Sequence, residues 1–264
     1  MKPKKSLGQN FLNNSKVLIE IVNSGNVSKN DVVLEIGPGT GNLTEKILNK
    51  NPKNLIVVEK DKELSILLKK KFGGEIEIIN KDILECYNDF NFNFPIKVFG
   101  NLPYNISTKI LTSWIKIKNL EKLYKKFILV FQKEVAERII AKENTKNYGR
   151  LSIITSWKME GKKLFDISPD YFFPKPKVWS SLLILEPKEI YKKIYKTENL
   201  EHITNIFFNQ RRKMIKKPMK QIFKNYEDIA KQLNISLNLR PHNISKDRYL
   251  EICQLYEKFN LTNF

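Results

Sequence analysis

The feature that most constrains this chain is a pair of short apolar runs joined through a glycine-rich turn and a helix-like segment. Val32-Val33-Leu34-Glu35-Ile36 leads into Gly37-Pro38-Gly39-Thr40-Gly41, and Leu55-Ile56-Val57-Val58 follows after apolar residues at helical spacing, Leu43, Ile47 and Leu48. A strand that ends on glycines, turns into a helix and returns as a second strand is a βαβ unit, whose two strands are parallel. Further strand-like runs occur at Ile76-Glu77-Ile78-Ile79, Ile96-Lys97-Val98-Phe99, Phe127-Ile128-Leu129-Val130-Phe131, Leu151-Ser152-Ile153-Ile154 and Ser181-Leu182-Leu183-Ile184-Leu185. Helix-like stretches separate most of them, so the expected fold is α/β, a mostly parallel sheet covered on both faces.

After Glu186-Pro187 the strand-like runs stop. From residue 190 to 264 the apolar residues fall at helical spacing, as at Ile203, Ile206, Phe207 and at Ile222, Phe223. A chain of 264 residues has room for one large α/β core and a smaller second unit. The expected division is an α/β domain over 1–187 and a small all-α domain over 188–264. Asn88-Asp89-Phe90-Asn91-Phe92-Asn93-Phe94-Pro95 reads as a loop, with Phe92 and Phe94 as anchoring side chains.

Charge narrows the partner class. The 47 Lys and Arg residues against 28 Asp and Glu give a formal charge of +19, which favours a polyanion such as nucleic acid. The two cysteines, Cys86 and Cys253, lie far apart and lack metal-site spacing or the density of a disulfide scaffold. The N-terminus is charged but has no apolar stretch behind it, and no run reaches membrane-spanning length, so a soluble cytoplasmic protein is expected. His202 and His242 lie outside every motif and receive no role.

The glycine turn is the first chemical signal. A dinucleotide fingerprint would place its third glycine at position 42, but Asn42 stands there and Gly41 comes one residue early. With Glu35 before it, the turn resembles motif I of S-adenosylmethionine-dependent methyltransferases, in which Gly37, Gly39 and Gly41 let the backbone approach the amino-acid end of the cofactor. Glu59, in Val57-Val58-Glu59-Lys60-Asp61, lies roughly 20 residues downstream, the distance at which an acid reaches ribose hydroxyls. Asp82, followed by Ile83, comes after the next strand. Its carboxylate is placed either to cap a helix or to accept a hydrogen bond from the amine of a cofactor adenine.

The second signal is Asn101-Leu102-Pro103-Tyr104. The exocyclic amine of adenine is a poor nucleophile because its lone pair is delocalised into the ring. An Asn side-chain oxygen and a backbone carbonyl held rigid by Pro accept hydrogen bonds from that amine and localise the lone pair. The following Tyr supplies a ring on which the base stacks.

Taken together, these motifs resemble the ribosomal RNA adenine N6,N6-dimethyltransferase family, specifically its small-subunit type, over nearly the whole chain. The resemblance also rests on Leu7-Gly8-Gln9-Asn10-Phe11-Leu12, Gln132-Lys133-Glu134-Val135-Ala136, Tyr148-Gly149-Arg150-Leu151-Ser152, Phe172-Phe173-Pro174-Lys175-Pro176-Lys177-Val178 and Asn209-Gln210-Arg211-Arg212-Lys213. It implies a Rossmann-like class I methyltransferase domain with one antiparallel strand, and a helical C-terminal RNA-binding domain. It implies S-adenosyl-L-methionine as cofactor, held by Gln9, Asn10, Leu12, Glu35, Gly37, Gly39, Gly41, Glu59, Lys60, Asp82, Ile83 and Asn101. It further implies that Asn101 and the carbonyl of Leu102 or Pro103 hold the target amine, with Tyr104 and Phe172 sandwiching the adenine. Phe172 is chosen over Phe173 by its register with Pro174. The reaction so implied is dimethylation of two adjacent adenosines in the 3′-terminal hairpin loop of small-subunit RNA, without a metal, by a monomer acting on a 30S assembly intermediate. Trp179 departs from the family pattern, which often has a small or acidic residue there.

Phosphate contacts are expected from Arg211, Arg212, Lys213, Lys216 and Lys217, shared with Lys175, Lys177 and the N-terminal lysines. Three other readings share parts of the pattern. The large-subunit-modifying relative behind macrolide resistance usually reads Asn-Ile-Pro-Tyr, and Leu102 and Gly8 favour the small-subunit type. A non-catalytic RNA-binding or assembly factor is disfavoured by the intact Glu59, Asp82 and Asn101. A DNA adenine methyltransferase would require turnover on duplex DNA.

Overall fold

The sheet is built from the apolar runs that the sequence presents. In the computed structural model, which describes residues 3–90, 92 and 94–261, the strands are β1 (Phe11–Leu12), β2 (Val32–Ile36), β3 (Asn54–Val58), β4 (Glu77–Ile79), β5 (Ile96–Asn101), β6 (Tyr124–Gln132), β7 (Met159–Ile167), β8 (Phe172–Phe173) and β9 (Ser180–Pro187). Lys2, and Asn91 and Asn93 of the expected loop, lie outside the described residues. Seven strands form one sheet in the order β4-β3-β2-β5-β6-β9-β7, and β1 pairs with β8 in a separate two-stranded ladder. From β4 to β6 every pairing is parallel, and β9 runs antiparallel to β6.

By its contacts the chain divides into one unit of 1–136 and 160–188 and a second of 137–159 and 189–264. The first holds the sheet and the helices α1 (Ser15–Ser24), α2 (Asn42–Leu48), α3 (Lys62–Phe72), α4 (Ile83–Cys86), α5 (Ser107–Lys116) and α6 (Leu120–Leu123), while α7 (Lys133–Ile139) spans the point where the chain passes to the second unit. Residues 137–159 therefore group with the C-terminal helices, although they fall inside the expected 1–187 domain.

One expected strand is a helix. Leu151-Ser152-Ile153-Ile154 belongs to α8 (Arg150–Lys158), in which Ser152 through Thr155, Trp157 and Lys158 are all buried. A helix buried on several faces shows no amphipathic period, and its short apolar run reads like a buried strand. The strand that follows, β7, escapes the same pattern search because its interior residues Glu160 to Leu164 are exposed. It stands at the edge of the sheet, and charged residues such as Lys162 and Lys163 discourage pairing with another chain.

One core of the first unit lies against a single face of the sheet. Val33, Leu55, Val57, Phe99, Ile128 and Val130 pack with Leu18, Ile21, Ile47 and Leu68 from the helices, all nearly inaccessible. Each such side chain contributes about 1.5–3 kcal/mol by leaving water. The second unit packs α8 with α9 (Thr197–Phe208), α10 (Lys216–Ile222), α11 (Tyr226–Gln232) and α12 (Lys246–Leu261). There Phe207 meets Tyr249 edge-on at 5.3 Å. The buried Glu257 carboxylate accepts hydrogen bonds from the Tyr195 and Lys196 amides and from Asn199 Nδ2, satisfying donors before and within the first turn of α9.

Candidate active site

The parallel register aligns the carboxyl ends of β2, β3 and β5: Ile36 lies opposite both Val58 and Gly100. Chain order runs outward from β2 in both directions, so the crevice beyond these ends is where an open α/β sheet binds ligands. A cavity of about 180 Å³ opens there.

Its floor is the turn after β2. Gly37, Gly39 and Gly41 have φ of 65°, 59° and 80°, values that L side chains rarely adopt. Their surroundings differ. A Cβ on Gly37 would meet nothing within 4 Å, whereas one on Gly39 would stand 2.8 Å from the Phe11 ring and one on Gly41 2.6 Å from Phe72. Gly37 and Gly39 line the cavity; Gly41 does not, and it is glycine because α2 must begin tight against α3.

Three carboxylates border this floor. Glu35 is buried, and its Oε2 has no hydrogen-bond partner among the described residues. Burial, with the nearby Glu59 charge adding to it, pushes its carboxyl up to about 8. Glu59, just past β3, accepts the Gly39 amide at 3.2 Å and the Asp61 amide at 2.8 Å, and burial raises its pKa despite these bonds. Asp82 caps α4 through the Leu84 amide at 2.9 Å and pairs with Lys60 Nζ at 2.9 Å. Burial alone would raise Asp82, but the Lys60 ammonium and the Leu84 amide outweigh it and hold the carboxyl low. The helix-cap and cavity-lining placements of Asp82 therefore coexist, with Lys60 and Ile83 beside it in the lining.

The opposite wall is Asn101 to Tyr104. Asn101, the last residue of β5, donates from Nδ2 to the Asn10 carbonyl at 2.7 Å, which leaves its Oδ1 to accept. The Pro103 carbonyl already accepts the Ile106 amide at 3.1 Å, while the Leu102 carbonyl accepts no hydrogen bond among the described residues. The Tyr104 hydroxyl bonds Ser180 Oγ at the start of β9, and burial raises its pKa. Neither sequence spacing nor composition flags Ser180 as a partner of this wall.

Over the top runs an N-terminal strap, with Gln9, Asn10 and Leu12 all in the lining. It is pinned by side chains that the motifs do not mark: Asn42 Nδ2 bonds the Leu12 carbonyl at 3.0 Å, and Asp61 bonds Gln9 Nε2 at 3.0 Å. Phe172 differs from expectation. Paired with Leu12 across the small ladder, it is 4% exposed within the core, whereas Phe173 is 57% exposed; neither ring is in the cavity lining. Successive strand residues face opposite sides, so one ring of this pair must point inward.

None of the residues expected to contact phosphate lines this cavity. Lys175 pairs with Asp170 near β8, and Trp179 is half exposed. Arg211, Arg212, Lys213, Lys216 and Lys217 belong to the second unit, where Arg211 Nη2 bonds the Thr145 carbonyl at 3.2 Å. Cys86 is buried with its thiol on the Asp82 carbonyl, a packing role. No helix is long and apolar enough to cross a membrane, among the described residues.

The ribosomal RNA adenine dimethylase family model matches residues 1–260. The ribosomal RNA small subunit methyltransferase A of Pelagibacter ubique is 53% identical over 97% of this chain and 98% of its own. The protein of the same name from Ehrlichia ruminantium is 44% identical over 95% of each chain. Among solved structures, a dimethyladenosine transferase from Plasmodium falciparum superposes with a TM-score of 0.80 at 26% identity, covering 94% of this chain and 98% of that one. The 23S rRNA methyltransferase ErmE shares the fold, with a TM-score of 0.68 at 22% identity over 95% of this chain and 99% of its own. Motifs, cavity and relatives agree, and the chain belongs to the ribosomal RNA adenine dimethylase family.

Proposed function

We propose that this chain transfers methyl groups from S-adenosyl-L-methionine to N6 of two adjacent adenosines in the 3′-terminal hairpin loop of small-subunit (16S) ribosomal RNA. The observation that carries the reading is Asn101, tied through Nδ2 to Asn10 and left with a free acceptor beside a cavity lined by Glu35, Gly37, Glu59 and Asp82. The unpartnered Glu35 Oε2 and the open face of Gly37 fit the cationic amino-acid end of the cofactor. Glu59 then faces the ribose hydroxyls, Asp82 and Ile83 the cofactor base, and Gln9, Asn10 and Leu12 cover it. When bound, the cofactor supplies an electrophilic methyl and a good thioether leaving group.

The protein's own part is alignment and charge. Asn101 Oδ1 and the Leu102 carbonyl accept the two amine hydrogens, so the nitrogen turns its lone pair out of conjugation. Holding both reactants in attack geometry contributes on the order of 7–11 kcal/mol. No general base is required, because the alkylated amine is acidic and yields its proton to solvent. Tyr104 supplies one stacking face for the flipped base. For the other, the sequence points to Phe172, but of these two rings, both outside the cavity lining, only Phe173 is exposed for stacking, so the role is proposed for Phe173; each such contact returns about 1–3 kcal/mol of the cost of flipping. Arg211, Arg212, Lys213, Lys216, Lys217, Lys175 and Lys177 engage phosphates, and the protein works as a cytoplasmic monomer on a 30S assembly intermediate.

Incubating the protein with radiolabelled S-adenosylmethionine and unmethylated small subunits, followed by nucleoside mass analysis, tests this directly. Dimethyladenosine in the small-subunit RNA is the expected product. Label confined to naked large-subunit RNA would shift the reading to the resistance-type relative, and no label in either would leave a binding role only.

A further inference from the structure

Besides the ladder with β8, side chains at or beyond the ends of three different strands grip the N-terminal strap. Asn42, after the turn that follows β2, donates to the Leu12 carbonyl at 3.0 Å and to Asn13 Oδ1 at 2.9 Å. Asn101, at the end of β5, donates to the Asn10 carbonyl at 2.7 Å. The third is Asp61, after β3, and it is built differently from an ordinary helix cap.

Capping α3 needs one oxygen, and Asp61 Oδ1 accepts the Glu63 amide at 3.0 Å. The same oxygen also takes Lys4 Nζ at 2.8 Å, and Oδ2 takes Gln9 Nε2 at 3.0 Å. Gln9 Oε1 in turn accepts the Lys4 backbone amide at 2.8 Å, closing a ring of strap and carboxylate. The Asp61 side chain is 2% exposed and the Lys4 side chain 39%; Lys4 Nζ also reaches Glu63 Oε1 at 3.1 Å, but that carboxylate is 65% exposed and contributes little, so the buried acid is what holds the cation. Burial works against the charged acid, but the Lys4 and Gln9 bonds prevail and hold its carboxyl low. The Asp61 amide also donates to Glu59 Oε1 at 2.8 Å, which links the ring to the acid proposed for the ribose.

We infer that Asp61 is a positioning residue which, through Lys4 and Gln9, fixes the strap so that the Asn10 carbonyl orients the Asn101 amide. The Asn101–Asn10 bond is only as ordered as the strap that carries Asn10. That strap turns at Gly8, with φ of 63°, and Asn10 Nδ2 folds back onto the Gly8 carbonyl at 3.2 Å. A short two-residue ladder and a few side-chain bonds give such a segment little local stability of its own, so one latch changes its order appreciably. Asp61 touches no reacting atom, yet it connects the cover of the cofactor site with the group that aligns the amine. The catalytic half of this inference rests on the function proposed above; the latch itself does not.

The test compares wild type with Lys4→Met, Asp61→Asn and the double variant. Lys4→Met leaves the α3 cap intact, so it reads the latch without the helix. The first readout is hydrogen exchange of the strap amides 7–12 in the free protein, and the second is KM for S-adenosylmethionine together with kcat on small-subunit RNA. Both single variants should speed strap exchange, raise KM about tenfold and lower kcat, as coupling between two sites does. The double variant should match Asp61→Asn within about twofold, because both changes break one latch. Unchanged strap exchange in Lys4→Met, single effects that multiply, or a changed KM with unaltered kcat would each overturn the inference. If wild type fails to bind S-adenosylmethionine in calorimetry, the proposed function falls, while strap exchange still decides the latch.

Discussion

The two ends of the cavity are held by different means. At the acidic end, Glu59 is gripped by the amides of Gly39 and Asp61, and Asp82 by the Leu84 amide and Lys60. All of these partners lie within 22 residues of the acid they hold, inside consecutive strand-turn-helix units. At the Asn101 end, the partners come from afar: Asn101 bonds Asn10 across 91 residues, and Tyr104 bonds Ser180 across 76. Phe172 owes its place to pairing with Leu12. The acidic end is thus organised by each βαβ unit as it forms, whereas the amine end is completed only when the N-terminal strap and the β8–β9 segment have both docked. Substitutions far from the chemistry should therefore damage the second end more than the first.

The largest effect expected from this contrast is structural. Phe172→Ala removes a buried ring from the core and should cost about 3–5 kcal/mol of stability, read by denaturant unfolding. Phe173→Ala should stay within about 0.5 kcal/mol of wild type in the same experiment and weaken RNA binding instead. If Phe173→Ala binds RNA normally and a conservative Phe172→Leu does not, the stacking assignment reverts to Phe172. Next in size, Asn101→Ala should lower kcat by about 10²–10³, the usual cost of one preorganised polar contact, a larger effect than the roughly tenfold loss of cofactor affinity that freeing the strap at Asn10 brings. Unchanged turnover would remove Asn101 from the mechanism. Smaller again, Glu59→Gln keeps one oxygen for the two amides it now serves and should weaken S-adenosylmethionine binding by about 1–2 kcal/mol with kcat at saturation nearly intact. An equal loss in kcat would mean that the two ends are not separable.

The same contrast explains what the sequence disclosed. The βαβ unit, the glycine turn and the acids after each strand were legible because their geometry is set by neighbours in the chain, and glycine spacing and strand ends are local marks. Gly41 stands apart from the other two glycines for the opposite reason. It carries the motif's glycine, but the side chains that forbid a Cβ there, Phe72 and Leu68, come from α3. Phe172 and Phe173 were likewise indistinguishable, since which ring turns inward depends on the register against Phe11 and Leu12. Asp61, Asn42 and Ser180 carry no motif and became visible only through their long-range bonds. The assignment of 151–154 to a strand failed because a helix buried on several sides loses the periodicity that would announce it.

The subtlest prediction concerns Glu35, where the acidic end can be made to report on itself. In the free protein its carboxyl, pushed up to about 8 by burial, stays protonated at neutral pH, while the unfolded chain would ionise near the ordinary value of 4.5. The folded state then binds the extra proton, so stability falls as pH rises from about 4.5 towards 8 and levels off beyond. Glu35→Gln, which cannot ionise, should flatten that part of the profile. A cationic amino group brought against Oε2 reverses the preference, since an opposite charge favours the carboxylate. Binding of S-adenosylmethionine at pH 7 should therefore release up to one proton, measurable as a dependence of calorimetric enthalpy on buffer ionisation heat. Sinefungin, which keeps the amino-acid end, should release the same fraction, and 5′-methylthioadenosine, which lacks it, should release none. Equal proton release by both would place the cationic group somewhere other than beside Glu35, and with it the orientation assigned to the cofactor.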